Sequence, residues 1–331
     1  MKVKVPATSA NMGPGFDVLG LALNLYNTFR FSLSDESKII ERDEILPIQD
    51  NLIYLSYKKT FQKFNMDCIP AEITVESNIP RARGLGSSSS CIVGGIVGAY
   101  LIMNKKIDRN EILQIAAEFE GHPDNVAPAI FGNVTATLNK DGVNKSLKIV
   151  PKNHYKFLAL VPDFELSTKS SREILPNSFE MKDITFNCSR VAFLISSLIY
   201  GEDDYLKIGL EDNIHQKYRG KLIPDYKSIM TFLKSRTLGS YLSGAGPTIM
   251  AIVKNTFQIK KELYDFTKDL ELNWEVLELE LDNVGFKIEG IDWLLNFDKK
   301  LDNIVNLSYN IYYNLRKCWN WQTGMFEGHV H

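Results

Sequence analysis

The sequence predicts a two-domain α+β protein, and three observations carry that prediction. Its 331 residues exceed the ~100–200 of a single ordinary domain. Short strand-like and helix-like runs alternate along most of the chain. The later half runs strand, helix, glycine turn, strand, helix, strand, an order that suggests a ferredoxin-like sandwich. A content of 44% apolar and 24% charged residues is that of a globular chain and excludes disordered, collagenous and disulfide-scaffold classes. Lys plus Arg number 38 against 40 Asp plus Glu, a net charge of −2, too even for a chain held to nucleic acid through its phosphates. Cys68, Cys91, Cys188 and Cys318 lie far apart without a C-x-x-C pair, so neither a zinc site nor a disulfide framework is expected, and a cytoplasmic, reducing setting is.

The elements follow in order. Residues 3–5 alternate as a short strand broken by Pro6, without the apolar core of a secretory signal. Residues 26–33 and 71–75 have strand character, whereas 51–65 and 109–119 carry apolar residues at helical spacing. The run 91–103 contains Gly94, Gly95 and Gly98 and is about 13 residues long, short of the ~20 a bilayer requires. It reads as a buried helix, and no membrane partner is expected. Short strands follow at 134–138 and 148–150. The lysine- and asparagine-rich stretch 139–156 places the junction, giving predicted domains 1–155 and 156–290. The second half has a strand at 157–161, a helix at 189–200, a glycine turn at 242–247, a strand at 248–253, a helix at 256–270 and a strand at 274–281. Beyond Gly290, Trp293, Tyr309, Tyr312, Tyr313, Trp319 and Trp321 are scattered among asparagines without a sustained period. Residues 291–331 are therefore expected to be an atypical, partly disordered tail outside the core.

Chemistry concentrates in four segments. The first, Pro80-Arg81-Ala82-Arg83-Gly84-Leu85-Gly86-Ser87-Ser88-Ser89-Ser90, follows a strand and opens directly into the small-residue helix. Glycines admit close backbone approach, serines supply hydroxyls, and the first-turn N–H groups lack intrahelical partners, so the segment reads as a phosphate cradle. It is neither a Walker A loop nor a dinucleotide fingerprint. Alone, a Gly-Ser tract is more often a linker. The second segment, residues 6–17, sets Asn11 and Asp17 among two glycines and two prolines in a stiff polar loop; turn formation is their plain alternative. The third, Glu118-Phe119-Glu120-Gly121-His122-Pro123-Asp124-Asn125, groups acids with an imidazole before a helix, and acids near a phosphate cradle suggest magnesium. The fourth is Ser243-Gly244-Ala245-Gly246-Pro247-Thr248, read as a turn between a helix and a strand.

In order and spacing, the segments 6–17, 80–90 and 242–248 resemble the three motifs of the GHMP small-molecule kinases. Ala7-Thr8-Ser9-Ala10-Asn11 and His122-Pro123-Asp124-Asn125 are similar to the homoserine kinase branch of that family, and the likeness spans residues 2–290. The resemblance implies a GHMP kinase fold: an N-terminal α/β domain with a left-handed βαβ crossover and a C-terminal ferredoxin-like domain, with the site between them. It implies transfer of the ATP γ-phosphoryl group to the side-chain hydroxyl of L-homoserine, with Mg²⁺, in a homodimer.

Residue by residue, the resemblance places Pro80, Arg83, Gly84, Leu85, Gly86, Ser87, Ser88, Ser89, Ser90, Gly244 and Gly246 about the nucleotide, with Asn51 near its base. It assigns the metal to Ser88 and Glu118, with Glu120 close enough to compete for the second place. It assigns the substrate to Asn11, Asp17, His122, Asp124, Asn125, Arg172 and Arg219. The two arginines would clamp the substrate carboxylate, which a guanidinium fork grips better than an ammonium. Asp17 would face the substrate ammonium and Asn11 the reacting hydroxyl. Asp124 would act either as a base or by holding substrate. A mevalonate-type or sugar kinase, or a nucleotide-binding protein without turnover, is the alternative.

Overall fold

A computed structural model describes residues 1–290. The chain divides into the compact units Met1–Lys287 and Ile288–His331, and the architecture below belongs to the first. The tail predicted over 291–331 lies outside the described residues.

β1 (Lys2–Ala10) pairs antiparallel with the 15-residue β2 (Leu19–Leu33), and the register shifts at Pro6, which has no N–H to donate. β3 (Lys38–Glu41) and β4 (Glu44–Leu46) form a hairpin, α1 (Leu52–Lys63) crosses over, and β5 (Ala71–Glu76) returns parallel to β3. The crossover predicted within this half therefore falls on β3–α1–β5. α2 (Ser87–Ile102), α3 (Arg109–Glu120) and α4 (Pro123–Phe131) follow, and then β6 (Val134–Lys140) and β7 (Val143–Ile149). The length of β2 lets it serve two neighbours: Leu19–Leu21 pair with β6, and Thr28–Leu33 pair with β5.

α2 packs on β1 and β2, with glycine at each close approach. A Cβ at Gly94 would lie 2.5 Å from the Phe29 ring, and one at Gly98 would lie 2.1 Å from the Phe31 ring. At Gly95 it would lie 2.2 Å from the Ile53 carbonyl oxygen. The small-residue composition thus lets a helix lie flush on aromatic side chains. α3 starts where the Asp108 carboxylate accepts the N–H groups of Asn110 and Glu111, and ends at Gly121 with φ +74°.

The second sheet begins with β8 (Lys156–Pro162). Helices α5 (Thr168–Glu173), α6 (Met181–Tyr200), α7 (Leu206–Gly209), α8 (Gln216–Arg219) and α9 (Tyr226–Lys234) lead to the hairpin of β9 (Gly239–Leu242) and β10 (Ile249–Val253). α10 (Phe257–Thr267) and β11 (Trp274–Glu280) close it. Its strands lie in the order β11-β8-β10-β9, which is 4-1-3-2 in chain order, the ferredoxin-like arrangement. Both faces are buried. Phe157, Ala159 and Val161 of β8 join a core with Leu21, Leu23 and Val134 of the first sheet, while Leu158 and Leu160 pack with Ile229, Leu233 and Leu263 of α9 and α10.

The structure corrects the sequence reading in two places. The short strand expected at 148–150, in the lysine- and asparagine-rich stretch, is β7 and begins earlier, at Val143; its exposed edge carries the lysines and asparagines that hid its length. The late glycine segment turns between two strands, not between a helix and a strand. Its first strand, Gly239-Ser240-Tyr241-Leu242, is too short and too glycine-rich to stand out.

Candidate active site

Three chain segments distant in sequence are stitched together by backbone and side-chain hydrogen bonds. The Thr8 N–H donates to the Leu85 carbonyl at 3.1 Å, and the Gly244 N–H donates to the Ala10 carbonyl at 3.1 Å. The Thr248 N–H donates to the Arg83 carbonyl at 3.2 Å, and the Ser9 and Ser243 hydroxyls lie 2.7 Å apart. Glycines make the approach possible. A Cβ at Gly84 would stand 2.4 Å from the Ser243 carbonyl oxygen, and one at Gly86 would stand 1.9 Å from the Thr8 hydroxyl, both at positive φ.

The loop after β1 is conformationally costly: Asn11, Met12 and Asp17 have φ of +70°, +41° and +57°. Hydrogen bonds hold it. The Asn11 amide donates to the Gly244 carbonyl at 2.8 Å, and its oxygen accepts the Asp17 N–H at 3.0 Å. Asn11, expected to face the reacting hydroxyl, therefore spends its amide on shaping the loop.

The stitched segments enclose a cleft of about 170 Å³. Asn11, Asp17, Arg83, Gly84, Gly86, Ser87, Ser88, Ser89, Glu120, His122, Asp124, Asn125, Arg172, Arg219, Gly244 and Gly246 line it. Ser88 is exposed there, while Ser89 donates to Glu120 Oε1 at 2.8 Å. Ser90 is buried and serves the scaffold, donating to the Ser87 carbonyl and accepting from the Asn27 amide. Leu85 is a core side chain, so it acts through its backbone. Asn51 caps α1, accepting the Ile53 N–H at 3.0 Å, and lines a neighbouring cavity of about 330 Å³ that shares Ala82, Ser87 and Ser88 with the cleft. Pro80 lines another cavity of about 700 Å³, beside Lys268 and Trp274, which shares Arg83 with the cleft. That larger cavity has no α2 N-terminus in its wall.

Glu118 is not brought to the cleft. Two residues, about half a helical turn, set it on the opposite side of α3 from Glu120, where Lys59 at 2.9 Å and Lys63 at 3.3 Å of α1 hold it, and the hydrogen bond from Lys59 lowers its pKa. Glu120, two residues on, faces the phosphate loop instead.

Charge inside the cleft centres on Asp17. Arg172 grips it with two hydrogen bonds of 2.7 and 3.1 Å, and His122 Nδ1 lies 3.2 Å from the same carboxylate. Asp124, on the first turn of α4, is 4% exposed; burial first, then the charges of Asp17 and Glu120, push its pKa up to about 7. Asn125 accepts the Thr8 hydroxyl at 2.8 Å. Arg219 is 2% exposed and donates to the carbonyls of Ser171 and Gly244, both at 3.0 Å. Burial, then the Arg172 charge, lowers its pKa to about 10, so it remains a cation near neutrality.

Sequence reasoning assigned no role to Phe16 or His215. The Phe16 ring lies 5.5 Å from the Arg172 guanidinium and 5.0 Å from that of Arg219, so one aromatic ring attracts two cations that repel each other. An aromatic residue inside an otherwise polar loop was the available signal. His215 stands four residues before Arg219, one helical turn.

Comparison with known proteins fits this geometry. The GHMP kinases N terminal domain matches residues 51–133, and the GHMP kinases C terminal domain matches residues 202–272. A homoserine kinase of Clostridium beijerinckii (strain ATCC 51743 / NCIMB 8052) is 44% identical over 292 residues, covering 86% of this chain and 97% of its own. The chain belongs to the homoserine kinase family. Another member, from Clostridium botulinum (strain Alaska E43 / Type E3), is 43% identical over 289 residues, again 86% of this chain and 97% of its own. The crystal structure of homoserine kinase from Cytophaga hutchinsonii ATCC 33406 superposes with a TM-score of 0.77 at 26% identity, over 87% of this chain and 96% of that one. The GHMP kinase fold expected from the motifs, with its two domains of mixed helices and sheets, is thereby shown.

Proposed function

We propose that the protein transfers the γ-phosphoryl group of ATP to the side-chain hydroxyl of L-homoserine, giving O-phospho-L-homoserine. One observation carries this reading. Two guanidinium groups, Arg172 and Arg219, and two carboxylates, Asp17 and Asp124, line the same cleft as Ser87, Ser88 and Ser89 at the N-terminus of α2. A zwitterionic amino acid calls for both signs of charge, whereas a sugar needs neither and mevalonate has no ammonium.

α2 begins at Ser87 and its N-cap, Gly86, has no side chain to cap it, so its first N–H groups remain available to phosphate oxygens. The cavity beside Asn51, which shares Ala82, Ser87 and Ser88 with the cleft, supports the nucleotide base being taken there. Mg²⁺ takes few protein ligands and leaves the rest to phosphates and water, and the pair formed by the exposed Ser88 and Glu120 has the hard oxygen donors it requires. When bound, Mg²⁺ neutralises charge on the phosphate oxygens. The chain's own task is positioning: phosphoryl transfer passes through a loose transition state, so holding acceptor and donor in line supplies much of the rate. Arg172 and Arg219 receive the substrate carboxylate, Asp17 receives its ammonium, and Asp124 holds the hydroxyl end. Arg172 and Asp17 pair with each other in the cleft, and each carries the charge that suits a substrate group of opposite sign.

The test is phosphorus NMR of the products formed from ATP, Mg²⁺ and L-homoserine, L-serine, L-threonine or mevalonate in parallel. O-phosphohomoserine as the main product supports the assignment, and faster turnover of mevalonate sinks it. Glu120→Gln is expected to raise the Mg²⁺ concentration for half-maximal rate about tenfold, the scale of one lost charged ligand contact, with Glu118→Gln within about twofold of the parent. The opposite ranking would return the metal to Glu118.

Among the described residues no helix is long and apolar enough to cross a membrane. We also propose that the chain works in the cytoplasm as a homodimer. α6 supports the dimer, because Met181, Phe193, Ile199 and Tyr200 on it are exposed, beside Tyr205 and Ile208. Light scattering at twice the chain mass is the expected result, and a monomer at micromolar concentration contradicts it.

A further inference from the structure

We propose that His215 is a positioning residue for the acceptor substrate, its neutral imidazole aiming Arg219 into the cleft. The proposal rests on the reading of the cleft as an amino-acid site.

His215 is fully buried, and its Nε2 lies 2.7 Å from the Gly13 carbonyl oxygen. A carbonyl can only accept, so the imidazole proton resides on Nε2. Nδ1 then carries a lone pair, and that nitrogen lies 3.5 Å from Arg219 Nη1. A guanidinium can only donate, so the two groups match while the ring is neutral and clash if it gains a second proton. Burial lowers the histidine pKa, and the Arg219 charge acts in the same direction against Asp212 and Asp17.

Asp212 fixes the backbone of this turn. Its carboxylate accepts the N–H groups of Ile214, His215 and Gln216 at 2.7–3.0 Å and the Asn187 amide at 2.7 Å. The Phe16 ring closes the other side, 5.4 Å from the imidazole. Arg219 therefore contacts two carbonyls, an imidazole lone pair and an aromatic face. Among the described residues no carboxylate pairs with it directly. Its orientation is fixed while its charge is left for a ligand. A direct carboxylate partner would fix the side chain equally well and consume the charge, so a neutral acceptor is the device that separates the two.

Two measurements test this. Nitrogen-15 NMR of histidine-labelled, substrate-free protein at pH 7.5 is expected to show His215 as the Nε2–H tautomer; the Nδ1–H tautomer or an imidazolium would overturn the proposal, whatever the activity. In kinetics, His215→Gln keeps a donor toward Gly13 and loses the acceptor facing Arg219, whereas His215→Asn keeps an acceptor near Nδ1. The glutamine variant is expected to raise KM for L-homoserine about tenfold, with kcat and KM for ATP within about twofold, and the asparagine variant to recover most of that loss. Equal loss in both variants, or loss expressed in kcat and ATP affinity, would assign His215 a purely structural part. An unmodified protein that fails to phosphorylate L-homoserine would sink the substrate assignment instead, and the NMR result would then decide His215 alone.

Discussion

Arg219→Lys is expected to lower kcat/KM for L-homoserine by about a hundredfold or more, while KM for ATP stays within about twofold. A lysine keeps the charge but replaces a planar fork by a single ammonium. It cannot serve the Ser171 and Gly244 carbonyls and a substrate carboxylate together in the same geometry. Each charge-assisted hydrogen bond lost is worth about 1.5–3 kcal/mol, so two suffice for that factor. Steady-state kinetics with each substrate varied in turn provides the check. A change below fivefold would mean that Arg219 only braces the Gly244 hairpin.

The second large effect is opposite in sign for stability and activity. Asp124→Asn is expected to lower kcat about tenfold, the loss appropriate to a group that holds substrate; a loss of several orders with unchanged substrate affinity would mark a true base. The same variant is expected to melt at a higher temperature than the parent at pH 8. Because the folded-state pKa of Asp124 is raised to about 7 from an ordinary value near 3.8, the folded protein binds the proton more tightly than the unfolded chain does. The stabilising contribution is fully present below about pH 4 and is lost as pH rises through 7. Asparagine removes that penalty, so the gain in melting temperature should grow from pH 5 to pH 8. A gain independent of pH, or a loss at pH 8, would show that the buried carboxylate is not strained. In the parent, kcat/KM should fall as pH drops through about 7, where Asp124 takes up its proton, and that limb should disappear in Asp124→Asn.

The glycine turn that opens α2 was legible because its geometry is backbone geometry: glycines and serines after a strand mark the start of a helix. The ferredoxin-like order was legible for a similar reason, since β8 and β10 are buried on both faces and read as unbroken apolar runs. What composition hides is direction. Glu118 and Glu120 are two residues apart and chemically identical, and helical phase alone sends one to Lys59 and the other to Ser89. Asn11 illustrates the same limit, because both ends of its amide are engaged by loop partners distant in sequence from each other. Arg172 and Arg219 were legible as cations suited to a carboxylate. That Phe16 lies against both required the fold.

The hydrogen bonds that tie Ala10 to Gly244 and Arg83 to Thr248 join segments of the first and second sheets' chain regions at a single spot. Neither half of the polypeptide owns a finished pocket. The Gly244–Gly246 wall of the cleft follows β8 and β9 in the chain, so a fragment that stops short of it lacks part of the lining. For the engineer, this makes the protein a natural two-fragment reporter: severed between the sheets, its halves should stay silent apart and speak only when brought back together.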